Sequence, residues 1–480
     1  LTIDNMRPIT LLEIGNKLIT SILSQRMIEI SAKAQHPLVH PLQFGGTTGR
    51  QTADALLIWQ AILEDAQESG KNLHVVYADV QAAYDSVSTQ SKVISYRRAG
   101  LPDSFLQFIE NTDSGGSSKV IVPGHGTSSE FEPKKGFKQG DPLSVIGWIL
   151  FMDPLFRWLA EGIPTASTPC KYEPTGTQAK TNGGGTREDA GPVKAYKINH
   201  SGDTPPILGF MDDTAFASES REALITQVER TSRFFHMHDV HLNHKKTIYS
   251  TNKPKDGKPP AVLTHGEWTP ITAREATKAS RYLGIFFDIP LTWRKQKGII
   301  RSQLGYFKHL VWKKHATLTE ANYTIDTALI TSLLYKMQIV PHSEGEIDKI
   351  ESSIVGMRKA AAKVARSSAH WPWYTPRQEG GLQLTRLRTR LTTLMTTRII
   401  NGAAGAIMQN ILAARIISDT IDKGEVAHPI FSPPTETGTG SNFVSYATAT
   451  LHTMGVYITA KENTTLPTLY PGGLREGDVL

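Results

Sequence analysis

The chain has 480 residues, 39% of them hydrophobic and 20% charged, which is typical of a folded protein of several lobes and excludes an intrinsically disordered chain. Its 52 Lys and Arg residues against 45 Asp and Glu give a net charge of +7, which is compatible with a polyanionic partner but not diagnostic of one. The single cysteine, Cys170, excludes an internal disulfide framework and a cysteine-rich zinc site within the chain, and it favours a reducing compartment.

No segment has the pattern of a signal peptide, and the longest apolar stretch is too short to cross a membrane. That stretch, from Leu143 to Phe156, is interrupted by Asp153 and Pro154. The sequence therefore predicts an intracellular protein that is not secreted and has no membrane partner. Because the first residue is Leu1 and patterned sequence follows at once, we interpret the chain as part of a longer protein.

Three elements are predicted in the first 80 residues. Apolar residues recur at helical spacing from Thr10 to Ala34, and a second helix is predicted from Gln51 to Glu68, after a glycine-rich turn. The segment from Leu73 to Val80 reads LHVVYADV, which predicts a buried strand that ends in a carboxylate, Asp79.

The middle of the chain combines a helix, a loop and a hairpin. Asp141-Pro142 is an N-cap acid followed by proline at the first helical position, so a core helix is predicted to about Leu159. Residues 163–204 are rich in Gly, Pro, Thr and Ser without an apolar period and predict a flexible insertion. Residues 207–218, ILGFMDDTAFAS, predict a hairpin with two carboxylates at its tip.

The last part of the chain is predicted to be mainly helical. A short strand, YLGIFFD, follows Arg281, and a helix is predicted from Trp293 to Ala316 with seven Lys or Arg residues and no acid. Further helices are predicted to about Arg366 and from Leu382 to Ile421, and the sequence from about Gly424 is turn-rich. No internal repeat is present.

Carboxylates stand at two predicted strand ends or turns: Asp79, and the adjacent pair Asp212 and Asp213. Phosphoryl transfer with two metal ions needs acidic oxygens that hold the ions close together, one activating the attacking hydroxyl and one holding the leaving phosphates. Carboxylates on neighbouring strands of one sheet would supply that geometry. An isolated Asp-Asp pair is more often a solvated turn, so the surrounding sequence has to decide whether this pair is a metal site.

Six motifs in chain order resemble those of the reverse-transcriptase family, and their wording is most similar to the non-LTR (LINE-type) retrotransposon branch. The resemblance covers about Arg7 to Gly381, if Glu379-Gly380-Gly381-Leu382 is taken as the glycine turn common after the thumb. The motifs begin at Arg7 (RPITLL), Tyr77 (YADVQAAYDSV), Gly136 (GFKQGDPLS), Phe210 (FMDD), Leu242 (LNHKKT) and Tyr282 (YLGI).

The resemblance implies an α+β, right-hand polymerase with fingers, palm and thumb, in which the palm is an antiparallel sheet packed on helices. It implies partial fingers over residues 1–60 and a palm with interleaved fingers over 61–290, including the flexible insertion at about 163–204. A helical thumb would follow at 291–370, and residues 371–480 would form a C-terminal extension of unknown role.

The implied function is RNA-directed DNA polymerase activity, the transfer of nucleotides from dNTPs to a primer 3′-hydroxyl. Its cofactors would be two Mg²⁺ ions, with Mn²⁺ as a substitute, and its partners an RNA template, a DNA primer and dNTPs, in the nucleus of a eukaryotic host. The family's functional positions match Asp79, Asp212 and Asp213 as metal ligands, Lys246 as the catalytic lysine, Arg7, Val80, Tyr84, Gln139 and Gly140 around the nucleotide, and Tyr282, Leu283 and Gly284 as the primer grip.

Some of these assignments also have a plainer interpretation. Tyr84 matches the aromatic gate that collides with a ribose 2′-hydroxyl, but it could be an ordinary core tyrosine. Lys245 competes with Lys246 for the lysine role, and the basic helix could be a solvated face rather than a thumb. The family usually has Gln-x-Gly-Phe where this chain reads Gln43-Phe44-Gly45-Gly46.

Three alternatives to an active reverse transcriptase stay open. The first is a decayed or domesticated relic that only binds RNA, and the second is a polymerase of the group II intron maturase type. The third, an RNA-copying RNA polymerase, is disfavoured by Tyr84. A metal site at His236, His238 and His241 is also disfavoured, because Asp239 is the only acid among them. The oligomeric state is unknown.

Overall fold

The structure is a computed structural model that describes residues 9–33, 38–114, 116–122, 124–162, 191–201, 204–254, 258–403, 406–423 and 442–456. The chain divides into two compact units. The first unit comprises Leu1–Ala55, Asn72–Tyr196 and Thr204–Ala276, and the second comprises Leu56–Lys71, Lys197–Asp203 and Thr277–Leu480. The predicted boundaries of fingers, palm, thumb and extension stay predictions.

The first unit contains the predicted hairpin and the carboxylates. Its elements are α1 (Ile14–Lys33), the first residues of α2 (Thr52–Ser69), β1 (His74–Ala78), α3 (Ala83–Ser86), α4 (Thr89–Arg98), α5 (Asp103–Ser114), β2 (Ile121–Val122), β3 (Gly126–Thr127), α6 (Pro142–Ala160), β4 (Leu208–Phe210), β5 (Asp213–Ser218), α7 (Arg221–Met237), β6 (Ile248–Thr251), β7 (Ala261–Thr264), β8 (Glu267–Pro270) and β9 (Thr272–Glu275).

A five-stranded sheet in the order β4-β5-β1-β6-β9 positions the candidate site. β1 is central and its five residues are all buried, as expected for a strand covered on both faces. The pairs of β4 with β5, β5 with β1 and β1 with β6 are antiparallel, but β6 and β9 are parallel. The predicted α+β class with an antiparallel sheet is confirmed, and the β6–β9 pair adds one parallel pairing at the edge of that sheet.

Helix α6 is the core helix that the sequence predicted. The Asp141 side chain accepts a hydrogen bond from the backbone N–H of Leu143, and Pro142 occupies the first turn. Among the described residues α6 alone is long and apolar enough to span a membrane, but 72% of its most apolar window is buried within the protein. It packs against residues of α1, α4 and α5 in one apolar cluster.

The predicted flexible insertion lies partly outside the described residues, which leave out 163–190 and 202–203. Its described end, residues 191–201, is ordered. Val193 donates its backbone N–H to the carbonyl of Leu159 at 2.9 Å, and Tyr196 donates to the carbonyl of Ala217 at 3.1 Å. The ring of Tyr196 is buried. Val193 and Tyr196 therefore pair with the core of the first unit, and the flexibility of the insertion as a whole stays a prediction.

The second unit is almost entirely helical. Its elements, besides most of α2, are β10 (Ser280–Tyr282), β11 (Ile285–Phe287), α8 (Arg294–Lys313), α9 (Leu318–Thr324), a π-helical stretch (Ile325–Ile330), α10 (Thr331–Met337), α11 (Glu344–Ala361), α12 (Trp371–Tyr374), a 3₁₀ turn (Arg377–Glu379), α13 (Leu387–Ala403), α14 (Ala406–Lys423) and α15 (Phe443–His452).

Two features of the second unit differ from the sequence predictions. The segment after Arg281 was predicted as one strand, but it is a hairpin whose turn consists of Leu283 and Gly284, with φ values of 47° and 81°. Helix α15 lies where a turn-rich tail was predicted. Its N-terminus is tied to α2, because Phe443 donates its backbone N–H to the buried carboxylate of Glu64 at 2.7 Å.

Candidate active site at the end of the five-stranded sheet

Asp79 follows directly after β1, the strand that lies between β5 and β6 in the sheet. Ala78, the last residue of β1, pairs with Thr214 of β5, so the next residue of each strand is Asp79 on one and Asp213 on the other. On the opposite side, the turn before β6 contacts the backbone of Asp79. The N–H of Asp79 donates to the hydroxyl of Thr247 at 3.2 Å, and its carbonyl accepts from Asn243 at 2.8 Å. Asp79 is thereby fixed from both sides.

Asp212 occupies the two-residue turn between β4 and β5, together with Met211. Met211 has φ = 60°, a left-handed conformation that costs a non-glycine residue roughly 1–2 kcal/mol. The buried side-chain oxygen of Gln43 accepts a hydrogen bond from the N–H of Met211 at 3.1 Å and another from the N–H of Gly45 at 3.2 Å. This amide therefore holds the turn that carries Asp212.

The Gln43 contact explains the glycine at position 45. A Cβ atom on Gly45 would lie 2.6 Å from the backbone nitrogen of Met211, closer than such atoms approach. Sequence reasoning missed this role, since Gln43-Phe44-Gly45-Gly46 was noted only as a departure from the family's pattern. The signal that could have found it is a glutamine two residues before a glycine pair, because glycine marks a close approach of backbones.

Electrostatics place Asp79, Asp212 and Lys246 near one another. Burial raises the pKa of Asp79, the positive charge of Lys246 lowers that pKa, and the negative charge of Asp212 raises it. Lys245 and Lys246 are both exposed, and the charge of Lys246 lowers the pKa of Asp79. This proximity favours Lys246 over Lys245 for the predicted lysine role, which stays a prediction. Asp213 is exposed at the start of β5.

Tyr84 lies beside the carboxylates rather than in the core. It belongs to α3 and is half-buried, with its ring stacked on Trp148 at 5.3 Å and edge-on to Phe137 at 6.2 Å. Burial and the charge of Asp212 both raise the pKa of the Tyr84 hydroxyl, so this hydroxyl is close to Asp212. A half-exposed ring with this neighbour fits the predicted gate better than an ordinary core tyrosine.

The loop with Gln139 and Gly140 is joined to the Tyr84 segment. Phe137 donates its N–H to the carbonyl of Tyr84 at 2.6 Å. The carbonyl of Gln139 accepts the N–H of Thr10 at 2.7 Å. Gly140 has φ = 116°, and a Cβ there would lie 2.7 Å from the Thr10 carbonyl oxygen, so only glycine fits. Arg7, predicted in the same motif as Thr10, lies outside the described residues.

Lys92 is a second residue that sequence reasoning missed. Its ammonium is buried, pairs with Asp113 at 2.6 Å and donates to the carbonyl of Gly136. It also lies 5.0 Å from the centre of the Phe137 ring. Lys92 therefore secures the start of the loop that carries Gln139, because a buried ammonium is stable only where such partners are present.

The donor set suits a hard divalent cation. Asp79 and Asp212 offer carboxylate oxygens. Val80 lies opposite Leu242, and the hydrogen bonds between the two segments are made by the neighbours of Val80, so the Val80 carbonyl points away from residues 241–243. In the described part of the chain no three His, Cys, Asp or Glu side chains already form a metal cage. Mg²⁺ does not need one, because it usually binds one or two carboxylates plus water and substrate phosphates. These residues therefore fit a divalent metal ion.

The His236, His238 and His241 side chains do not converge on one point. The ring of His238 is hydrogen-bonded to the hydroxyl of Ser91 at 3.1 Å and lies edge-on to Phe151. The rings of His236 and His241 are 5.9 Å apart. This arrangement gives no support to a metal site at the cluster.

The predicted primer-grip residues lie in the second unit. Tyr282 packs on Trp59 with ring centres 5.6 Å apart, and the hydroxyl of Tyr335 donates to the carbonyl of Leu283. These contacts fix the β10–β11 turn, which ends at Gly284. The other predicted residues that the structure describes belong to the first unit: Asp79, Asp212, Asp213, Lys246, Val80, Tyr84, Gln139 and Gly140.

A sheet that ends in paired carboxylates beside a tyrosine ring is the arrangement expected of a nucleotidyl-transferring polymerase palm. The chain matches the family model of reverse transcriptase (RNA-dependent DNA polymerase) over residues 2–287, and it belongs to that family. Members of the family use divalent metal ions.

Among curated proteins, the chain is similar to a retrovirus-related Pol polyprotein from the type-1 retrotransposable element R2 of Popillia japonica, with 25% identity over 82% of this chain and 50% of the relative. It is also similar to the Pol polyprotein of the type-2 element R2DM of Drosophila melanogaster, with 24% identity over 83% of this chain and 35% of the relative. These relatives confirm the non-LTR branch that the motif wording indicated. The chain spans about half the length of the first relative and about a third of the second.

Among solved structures, apo telomerase from Candida tropicalis is similar over 83% of this chain and 59% of that chain, with 13% identity and a TM-score of 0.34. Telomerase from Candida albicans in complex with a telomeric RNA fragment is similar over 82% of this chain and 56% of that chain, with 10% identity and a TM-score of 0.32. At these values the likeness carries no argument about function.

Proposed function

We propose that the chain is the catalytic core of an RNA-directed DNA polymerase of a non-LTR retrotransposon, copying an RNA template onto a DNA primer within the cell, in the nucleus of a eukaryotic host. The observation that carries the proposal is the strand register that brings Asp79 to the turn with Asp212, at the end of the sheet where Lys246 also acts on Asp79. Clustered carboxylates beside a lysine serve phosphoryl transfer, whereas a module that only binds RNA has no use for acids beside phosphate.

Two Mg²⁺ ions, for which Mn²⁺ substitutes, would be held by Asp79, Asp212 and the Val80 carbonyl, with Asp213 at the rim, and would supply charge stabilisation at the reacting phosphate. Lys246 faces the same carboxylate and is exposed, so it can donate a proton or a charge-assisted hydrogen bond to the leaving pyrophosphate.

Selection of the nucleotide rests on Tyr84 and the Gln139-Gly140 turn. The ring of Tyr84 is fixed by Trp148, so it cannot swing away from a ribose 2′-hydroxyl without breaking that stack. Gly140 lacks a side chain and allows the backbone to approach a base or sugar closely, and Gln139 offers both a donor and an acceptor. Arg7 is proposed to contact the triphosphate as a charge-assisted donor.

In the second unit, the rigid turn at Tyr282, Leu283 and Gly284 is proposed to contact the primer. Helix α8 is proposed to contact the duplex backbone. Its last turn carries Lys313, its first turn has no acidic residue, and half of its residues are exposed, which suits contact with phosphates.

The proposal is tested by primer extension with a DNA primer annealed to an RNA template, dNTPs and Mg²⁺. We expect template-directed extension by the unmodified chain, and none by Asp79→Ala or after chelation of the metal. Stability of the variant, measured by thermal unfolding, provides the control for misfolding. Binding of the template without any extension, with Mg²⁺ or Mn²⁺, would contradict the proposal and leave a relic that only binds RNA.

Lys246→Met is expected to lower the extension rate by about a hundredfold or more, the scale of a lost general acid. The matched change Lys245→Met should have a much smaller effect, because the lysine whose charge lowers the pKa of Asp79 is Lys246. Both side chains are exposed, so neither change should unfold the protein. The two variants are compared by their single-nucleotide extension rates at saturating dNTP. An equal loss of extension rate in both variants would overturn the choice of Lys246.

A further inference from the structure

The second unit contains an open cavity of about 540 Å³ that no predicted catalytic or nucleotide-binding residue lines. We call it the α12 cavity. Its volume lies in the range of about 300–1,000 Å³ that is usual for ligand sites. The residues that matter for its chemistry are Asp348, Glu351, His370, Trp371, Tyr374 and Arg386.

A folded-back segment shapes one wall of the α12 cavity. Leu382 donates its N–H to the carbonyl of Pro372 at 2.8 Å, and Gln383 donates to the carbonyl of Thr375 at 2.9 Å. The turn of this segment is Gly380-Gly381, where Gly380 has φ = 83° and a Cβ on Gly381 would lie 2.1 Å from the Thr375 carbonyl oxygen. The glycine pair seen in the sequence is therefore required by the shape of the wall.

Two aromatic rings supply the apolar part of the cavity. Trp371 is 64% exposed, an unusual state for so large a side chain in a folded protein. Tyr374 is half-buried, and the guanidinium of Arg386 lies 5.4 Å from its ring centre. Trp373, between them in sequence, is buried and anchors α12. Trp371 is thus held at the surface of the cavity on a fixed backbone.

The negative charges of the acidic residues in the cavity are already paired with arginines. Glu351 pairs with Arg386 at 3.4 Å and accepts the backbone N–H of Arg388 at 3.0 Å. Asp348 pairs with the guanidinium of Arg388 at 2.7 Å. A cationic ligand would have to displace these arginines, and a phosphate would meet two carboxylates in the wall. A neutral flat ring with hydrogen-bonding edges meets neither obstacle.

Exposed basic residues flank the cavity along the chain. Lys363 and Arg366 precede α12, and Arg377 follows it. The loop with Arg366 is fixed by the buried ammonium of Lys359, which donates to the Arg366 carbonyl at 2.9 Å. Exposed basic residues close in sequence to an aromatic pocket suit single-stranded nucleic acid, which needs cations for its phosphates and a ring on which a base can stack.

We propose that the α12 cavity binds one unpaired base of single-stranded RNA, stacked on Trp371, at a site separate from the catalytic residues. The choice of RNA rests on the proposed function, but binding at this site needs neither metal ions nor dNTPs. It would give the enzyme a grip on its RNA that depends on base stacking as well as on charge.

The test measures binding of short fluorescent single-stranded oligoribonucleotides by anisotropy, with the full chain carrying Asp212→Ala and without Mg²⁺ or dNTPs. Trp371→Ala is expected to weaken binding by about five- to a hundredfold, the range for loss of one base–aromatic stack. Trp371→Phe should recover most of the affinity, because it keeps a ring. Trp268→Ala removes another exposed tryptophan, on β8 of the first unit, and should change nothing.

The weakening by Trp371→Ala should persist at high salt, since stacking is not screened as phosphate contacts are. It should appear with homopolymers of U, A, C and G alike, because every base has a face that can stack. Unchanged affinity in Trp371→Ala, or Trp371-dependent binding of DNA but not of RNA, would overturn the proposal. So would displacement of the oligonucleotide by inorganic phosphate or by a basic peptide alone. Loss of primer extension in the unmodified chain with Trp371-dependent binding intact would contradict the proposed function and leave this site standing.

Discussion

Replacing Asp212 by Asn is expected to lower single-nucleotide extension by about a thousandfold or more, while Asp213→Asn costs only about tenfold. Loss of a metal-binding carboxylate removes several kcal/mol of charge stabilisation, and each 1.36 kcal/mol is a factor of ten in rate. Asp212 is half-buried, and its charge raises the pKa of both Asp79 and Tyr84. Asp213 is exposed at the start of β5, where water can screen its charge.

The measurement is single-turnover incorporation of one dNTP across a Mg²⁺ titration. Asn keeps the size of the side chain, so thermal unfolding should be almost unchanged in both variants, and a loss of rate can be attributed to chemistry. Excess Mg²⁺ should recover part of the activity of Asp213→Asn but little of that of Asp212→Asn. A larger loss in Asp213→Asn than in Asp212→Asn would reverse the roles of the two residues.

Much of the catalytic arrangement could be predicted from the sequence, because it depends on regular elements. LHVVYADV predicts a buried strand, and two apolar arms around Met211-Asp212-Asp213 predict a hairpin. Once both belong to one sheet, Asp79 and Asp212 have to meet at its end. The register of the two strands does not follow from the sequence. The structure shows that Ala78 pairs with Thr214, and this register brings the two carboxylates to the same end of the sheet.

The supporting contacts could not be predicted, since they join residues far apart in the chain. Gln43 contacts Met211 across 168 residues, and neither residue type has a pattern that indicates the other. The β10–β11 turn was missed for a different reason. Its first residue is Leu283 with φ = 47°, whereas Asn, Asp or Gly at that position would have indicated a hairpin.

Helix α15 shows how a short segment, buried on all of its faces, is stabilised by its surroundings rather than by helix propensity. Its N-cap, Asn442, accepts the backbone N–H of Ser445 at 2.8 Å, and the hydroxyl of Tyr446 donates to the carbonyl of Met337 at 3.0 Å. The sequence around it is rich in Thr and Ser, which are weak helix formers. Burial against other helices of the second unit outweighs that weakness.

Tyr84→Val is expected to reduce the preference for dNTPs over rNTPs by roughly a hundredfold, the scale on which a pocket discriminates one added hydroxyl. The Tyr84 ring is held between Trp148 and Phe137, so in the unmodified chain it cannot yield to a 2′-hydroxyl. Valine removes the ring and opens that space. The measurement is the ratio of kcat/KM for one dNTP to that for the matching rNTP.

Tyr84→Phe is the matched control, because it keeps the ring and removes only the hydroxyl. If the gate acts by steric exclusion, this variant keeps the preference for dNTPs over rNTPs. The only change near the carboxylate of Asp212 is then the loss of the Tyr84 hydroxyl. Tyr96→Phe changes a fully buried tyrosine of α4 that packs on Phe105, and it should leave the ratio unchanged. An unaltered ratio in Tyr84→Val would mean that the ring serves only to pack on Trp148. Selection against ribonucleotides would then have to lie in the backbone at Gln139 and Gly140.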